Sequence, residues 1–289
     1  MPNAGLADRP RQDESMNPFR HLLKARGARA PIGTWISSAS PLVAEALGHA
    51  GFDWGVVDME HAPADLMEVV HLLQAVGNTK MVPVVRVPWN DAVVVKRVLD
   101  AGAQTVMFPF VQSAEEAAHA VAATRYPPEG VRGMAGATRA SRFGTTPDYL
   151  RHANKGLAVI VQLETPQALA QLEAIAAVPG VDALFIGPAD LSASMGHVGH
   201  FTHPAVMAAM TDAARRAKAR GMPIGTLGAT AEAATRYRAM GFEFMAVGTD
   251  LGLLMQGAGA AIRALRAADD DAGHVHTLSE GTKTDANGH

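Results

Sequence analysis

The stretch GVVDMEHAP sets Asp58, Glu60 and His61 within four positions, directly behind the apolar run Gly55-Val56-Val57. A buried strand has little reason to end in two acids and a histidine unless its end opens onto water or a ligand. His61 follows Asp58 by three residues, and a carboxylate bonded to one ring nitrogen would fix the tautomer and leave the other nitrogen as a base. A histidine at a strand end also serves as a structural residue, so this spacing leaves both readings open. Arg86 closes the run MVPVVR. Its guanidinium keeps its charge and needs an anion, either a substrate carboxylate or Glu60. Glu164 in VQLETP and Asp190 in GPADLS are candidates for metal. Two carboxylates converging from neighbouring strand ends repel each other unless a cation, proton or arginine intervenes, and two oxygens plus waters suit Mg²⁺ or Mn²⁺. Either acid could instead cap the helix that follows it.

The elements that must position these residues announce themselves by repetition. HAGFDWGVVD, DAGAQTVMFP, VPGVDALFIG, ARGMPIGTL and AMGFEFMAVG each carry a helix-like end, a glycine and a short apolar run. Glycine past a helix caps its carbonyl end, and a continuous apolar run suits a strand buried on both faces. Repetition of that unit predicts parallel βαβ crossovers, with strands near 31–36, 55–58, 81–86, 104–109, 158–163, 183–187, 223–226 and 244–248. Eight such strands in about 240 residues predict an α/β fold of the (β/α)8 TIM barrel type as a single domain. A doubly wound sheet is the alternative, but no G-x-G-x-x-G follows the first strand. In such a barrel the site lies at the carboxyl ends of the strands. Asp58, Glu60, His61, Arg86, Gln162, Glu164, Gly187, Ala189 and Asp190 all fall there.

Composition narrows the partners. The 289 residues include 48% apolar types, and a net charge of −3 from 25 basic and 28 acidic residues offers no face to nucleic acid or anionic lipid. No apolar run approaches the ~20 residues of a membrane span, and the first residues lack a signal-peptide core, so a cytoplasmic protein is expected. Without cysteine there are no disulfides, thiolate metal sites or cysteine nucleophiles. Residues 1–20 and 268–289 are expected to be disordered tails around a barrel domain at 21–267. His197, His200 and His203 have helical spacing, yet Gly196 and Gly199 predict a solvated loop there. The six lysines all fall before strands, in helices or in a tail. Imine chemistry, which needs a desolvated lysine in the site, is therefore disfavoured.

Seven phrases in order, AGFDWGVVDMEHAP, VPVVRVPWND, KRVLDAGAQTVMFPFVQ, RYPPEGVRG, VQLETP, VDALFIGPADLSASMG and FMAVGTDLG, resemble the class II metal-dependent pyruvate aldolases. This is the HpcH/HpaI-type family of 4-hydroxy-2-oxoheptanedioate and 2-dehydro-3-deoxyglucarate aldolases, and the resemblance runs from about Gly33 to Leu254. It implies a (β/α)8 barrel, usually assembled as a hexamer, that cleaves a 4-hydroxy-2-oxo acid into pyruvate and an aldehyde in aromatic or sugar-acid catabolism. Its cofactor would be Mg²⁺, Mn²⁺ or Co²⁺. By the same resemblance Glu164 and Asp190 are the metal ligands, and His61 is the base, oriented by Asp58. Arg86 holds the pyruvate oxygen, and Gln162 and the amides of Ala189 and Asp190, next to Gly187, contact pyruvate. Trp35 lines the substrate pocket, and Asp100 is lent to a neighbouring subunit. The sequence departs from the family at Met59, where many members carry glycine. The long segment GVRGMAGATRASRFG is about as long as in the sugar-acid aldolases and points to a polyhydroxylated product. The rival readings are a malyl- or citryl-type coenzyme A thioester lyase and a non-catalytic pyruvate-binding barrel.

Overall fold

The computed structural model describes residues 17–25 and 29–280, with side chains described as far as 268. Eight parallel strands close in chain order into a barrel. They are β1 (Ile32–Ile36), β2 (Trp54–Asp58), β3 (Val82–Arg86), β4 (Thr105–Phe108), β5 (Ala158–Gln162), β6 (Ala183–Ile186), β7 (Ile224–Gly228) and β8 (Phe244–Thr249). Each lies within one or two residues of its expected place. The helices are α1 (Pro18–Lys24), α2 (Pro41–Ala50), α3 (Leu66–Val76), α4 (Ala92–Asp100), α5 (Ala114–Thr124) and α6 (Tyr149–His152). They continue with α7 (Pro166–Ala170), α8 (Leu172–Ala176), α9 (Pro188–Ser194), α10 (Pro204–Ala219), α11 (Ala231–Ala239) and α12 (Asp250–Glu280). Among the described residues, no helix is long and apolar enough to cross a membrane.

Two apolar layers hold the barrel. The outer one packs strand residues such as Val57, Val85, Val106 and Val161 against helix residues such as Leu72, Val98 and Ala120. The inner one fills the lumen with Phe19, Trp35, Trp54, Ile160, Phe185 and Phe244. Rings this large fit because their neighbours are small. A Cβ on Gly33 would lie 2.2 Å from the Trp54 ring, and one on Gly225 would lie 2.3 Å from the Phe244 ring.

The first element departs from the expected tail. Asn17 caps α1 by accepting from the Phe19 and Arg20 amides, and its own amide donates to the carbonyls of Gln104 and Gly156. Arg20 pairs with Asp182 through Nε at 2.6 Å and Nη2 at 3.0 Å, and Phe19 is fully buried against Trp54 and Phe244. Residues 17–20 thus belong to the barrel. The rest of the expected N-terminal tail, 1–16, lies outside the described residues. At the other end, one compact unit runs to Asp250, and a second begins at Leu251. The expected boundary at 267 falls inside α12, which is continuous to Glu280; residues 281–289 of the expected tail lie outside the described ones. His197, His200 and His203 lie in a non-helical loop between α9 and α10, where the rings of His197 and His203 stack 3.5 Å apart.

Candidate active site

The strand register builds the first part of the site. Asp58 stands opposite Arg86 on the neighbouring strand, and the two form a fork: Arg86 donates from Nε to Asp58 Oδ1 at 2.9 Å and from Nη2 to Oδ2 at 2.7 Å. Both side chains are nearly inaccessible to water. Asp58 Oδ1 also accepts the backbone N–H groups of Glu60 and His61, so it shapes the turn DMEH from within. This corrects the expected pairing. Asp58 is committed to Arg86 and to main chain, and the acid nearest the His61 ring is Glu60, whose Oε1 lies 3.6 Å from Nε2. The ring itself is 63% exposed. Glu60 Oε2 sits 2.8 Å from Arg86 Nη1 but is out of line with its N–H, so this buried oxygen is left without a hydrogen bond.

Beneath this fork lies Trp35, only 3% exposed, with the guanidinium carbon of Arg86 5.2 Å from its ring centroid. The β1–β8 register shifts between Gly33 and Trp35, a bulge of the kind that re-aims a side chain. Trp35 joins Trp54 and Phe185 in the aromatic column below. It therefore supports Arg86 more than it walls an open pocket.

The second part hangs from β5 and β6. Glu164, 2% exposed, accepts the Phe110 N–H on Oε2 at 2.9 Å and the Gln162 amide on Oε1 at 3.1 Å. Burial pushes its carboxyl up to about 7; the Phe110 N–H opposes this, and the negative charges of Asp190 and Glu60 add to it. Glu60 is raised as well, by burial first, with Arg86 and His61 opposing and Asp58 and Asp190 adding. Glu60, Glu164 and Arg86 stand at the carboxyl ends of β2, β5 and β3, with Arg86 2.8 Å from Glu60, and Asp190 follows the end of β6. Gly187 keeps the space beside Glu164 open: a Cβ there would lie 2.4 Å from Glu164 Oε1. Asp190 is exposed in the first turn of α9, where Pro188 opens the helix and the N–H groups of Ala189 and Asp190 have no carbonyl one turn back to bond.

Do these groups suit a divalent cation? Among the described residues, no cluster of three or more His, Asp or Glu with metal-ligand placement is found. The donor set is instead two carboxylates, Glu164 and Asp190, beside two buried oxygens without hydrogen-bond donors, Gln162 Oε1 and Glu60 Oε2. A buried amide oxygen without a donor, Gln162 Oε1, beside an acid pressed toward protonation fits a hard cation that keeps open positions for other ligands.

Asp100 is not in this cluster. It ends α4, which runs back from the rim, and it pairs at 2.7 Å with the fully buried Arg132 near the amino ends of the strands. The segment GVRGMAGATRASRFG also belongs to that end, between α5 and β5, next to a cavity of about 270 Å³ lined by Gly136, Ser141, Thr146 and Tyr149. Sequence reasoning did not single out Phe110, whose contribution is a backbone N–H and leaves no mark in residue type. It considered Glu60 only as an ion-pair partner.

A (β/α)8 barrel carrying acids and an arginine on its carboxyl rim has the layout of a barrel enzyme, whose site lies at the carboxyl ends of the strands. Within that class the match is specific. The profile of the HpcH/HpaI aldolase/citrate lyase family covers residues 31–257, and the chain belongs to this family. It is 52% identical over 237 residues to a 2-dehydro-3,6-dideoxy-6-sulfogluconate aldolase of Pseudomonas putida, covering 82% of this chain and 93% of that one. It is 47% identical over 241 residues to a 5-keto-4-deoxy-D-glucarate aldolase of Salmonella arizonae, covering 83% and 93%. A crystal structure of an HpcH/HpaI aldolase/citrate lyase family protein from Burkholderia cenocepacia superposes with a TM-score of 0.84 at 43% identity, covering 86% of this chain and 99% of that one. The chain is an enzyme, a carbon–carbon lyase of the aldolase type.

Proposed function

We propose that the protein reversibly cleaves a 4-hydroxy-2-oxo sugar acid into pyruvate and an aldehyde with the help of a divalent cation held by Glu164 and Asp190. The observation that carries this reading is that Gly187, three residues before Asp190, lies against the buried Glu164 on the rim that also holds Arg86, beside the donor-less oxygen of Gln162. The relatives named for sugar-acid substrates support the substrate class.

A bound divalent cation would supply Lewis-acid polarisation of the substrate's carbonyl, an effect worth several kcal/mol. The chain's own groups do the rest. Arg86 arrives pre-oriented, because Asp58 holds two of its five N–H groups and Trp35 lies under its plane. Arg86 Nη1 also faces Glu60 at 2.8 Å, and the N–H groups not turned to the two acids meet the charge that grows on the keto oxygen as the bond between C3 and C4 breaks. The first-turn amides of α9 receive the substrate carboxylate. His61, 63% exposed and 3.6 Å from Glu60, takes the proton of the 4-hydroxyl. In the condensing direction it takes one from the pyruvate methyl.

Asp100 could reach such a site only from a second copy of the chain, since its own barrel holds it near the opposite end. Exposed Leu254, Met255, Ile262 and Leu265 on α12 support a homo-oligomer, with the hexamer as the proposed state. The test is pyruvate release, coupled to its reduction to lactate, from a panel of 4-hydroxy-2-oxo acids in the presence of Mg²⁺, Mn²⁺ or Co²⁺. Metal-dependent release from the six-carbon sugar acids is expected. Release from none of them, with turnover of a coenzyme A thioester instead, would overturn the proposal.

A further inference from the structure

The geometry points to Phe110 as a positioning residue: we infer that its left-handed backbone aims an N–H at Glu164 and so fixes the carboxylate that would hold the cation. This rests on the reading of Glu164 as a ligand, and goes beyond it by naming what orients that ligand.

The argument starts from the strand ladder. On β4, Phe108 pairs with Val161 of β5, and the Val111 N–H donates to the carbonyl of Gln162 at 3.1 Å. Between these rungs Pro109 and Phe110 make the β4 side one residue longer than the β5 side, a bulge. Pro109 has no N–H to lose in this excursion. Phe110 does have one. Its φ is +54°, a region that glycine and asparagine enter readily and bulky side chains rarely do. In that conformation its N–H leaves the ladder and donates to Glu164 Oε2 at 2.9 Å. An extended residue at this point would direct the N–H elsewhere and leave a buried carboxylate oxygen without a donor.

A glycine would take this φ without cost, so the presence of phenylalanine asks for its own reason. The residue is 41% exposed, so burial does not supply one. It stacks on Trp89, with centroids 6.1 Å apart and planes 27° from parallel. Trp89 follows Arg86 by three residues. The stack ties the loop after Arg86 to the loop that serves Glu164, and the Gln112 N–H bonded to Glu116 Oε2 at 2.7 Å clamps the far side. Backbone strain held by surrounding contacts is a recurring property of functional sites.

Three variants separate the backbone from the ring. Phe110→Gly and Phe110→Asn accept a positive φ and keep the N–H, whereas Phe110→Val resists it. Mn²⁺ affinity is measured by electron paramagnetic resonance on each, beside far-UV circular dichroism and thermal melting. The glycine and asparagine variants are expected to stay within about threefold of wild type, and the valine variant to bind at least tenfold more weakly. Equal tenfold losses in all three would assign the effect to the ring and overturn the inference, as would undiminished affinity in Phe110→Val. Should the valine variant fail to fold, a tenfold loss in either of the others still overturns it. Wild-type protein without Mn²⁺ affinity would instead remove the ligand reading itself. Bound Mn²⁺ with all variants alike removes only the role of Phe110.

Discussion

Replacing Gly187 by alanine asks one methyl group to enter the space between β6 and Glu164. The backbone does not object, since φ −84° and ψ 103° are ordinary extended values for any residue. The side chain does. Its Cβ would lie 2.4 Å from Glu164 Oε1 and 3.2 Å from the carboxyl carbon, where ordinary contact begins near 3.4 Å. The carboxylate must retreat by about 1 Å, which disturbs the bond that the Gln162 amide makes to the same oxygen at 3.1 Å. A displacement of about 1 Å in a catalytic array costs on the order of 10²-fold in turnover. We expect that loss in metal-dependent pyruvate release, together with at least tenfold weaker Mn²⁺ binding. Overpacking at a single methyl costs about 1–3 kcal/mol, so the melting temperature should fall by no more than about 10 °C. Gly156→Ala, whose Cβ meets nothing within 4 Å, serves as the control. Turnover and Mn²⁺ affinity of Gly187→Ala within threefold of wild type would refute the placement of Glu164 in the site.

Three further outcomes follow from the same geometry. Because the Glu164 carboxyl is lifted from 4.5 to about 7, metal-free protein has this group's contribution in full below pH ~4.5 and loses it as pH rises through about 7. That amounts to an upper bound of about 3 kcal/mol. Metal-free Glu164→Gln should then be more stable than wild type by about 1–3 kcal/mol at pH 8 in urea unfolding, and equal to it near pH 4. A constant difference across this range would contradict the buried, unpaired state of Glu164. Arg86→Lys loses the two-point bond to a buried Asp58, and both a drop in stability of about 2–4 kcal/mol and a loss of at least ~10²-fold in turnover are expected; rescue of turnover by lysine would show that a point charge suffices. His61→Ala removes an exposed ring, so stability should change by less than about 0.5 kcal/mol while turnover falls roughly 10²- to 10⁴-fold and Mn²⁺ affinity holds. Unchanged turnover would end its role as a base.

The barrel was legible because its strands are unbroken apolar runs that follow glycine helix stops, as in DAGAQTVMFP and VPGVDALFIG, and that pattern reports burial on both faces. Residue type at strand ends likewise brought Asp58, Arg86, Glu164 and Asp190 to one rim. What stayed hidden depends on pairing. Asp58 was expected to serve His61, its neighbour in sequence, but the β2–β3 register sets it opposite Arg86, and no spacing within one segment discloses a register. The first turn of α1, residues 18–20, was expected in the tail because a seven-residue helix in a polar context has too few apolar positions to show periodicity, although Phe19 closes the barrel floor. α12 runs past 268 through residues whose composition is polar and Asp-rich. Asp100 was singled out by resemblance, while the buried Arg132 that holds it is 32 residues away in a segment with no regular pattern.

The most direct test of the account is deuterium uptake into the pyruvate methyl group, followed by NMR with metal-stripped protein and after addition of Mg²⁺, Mn²⁺ or Co²⁺. The proposed function predicts no exchange above background in the stripped protein, exchange restored by at least one of the cations, and none in Glu164→Gln under any of them. Exchange absent with every cation, or equally fast in wild type and Glu164→Gln, would contradict it.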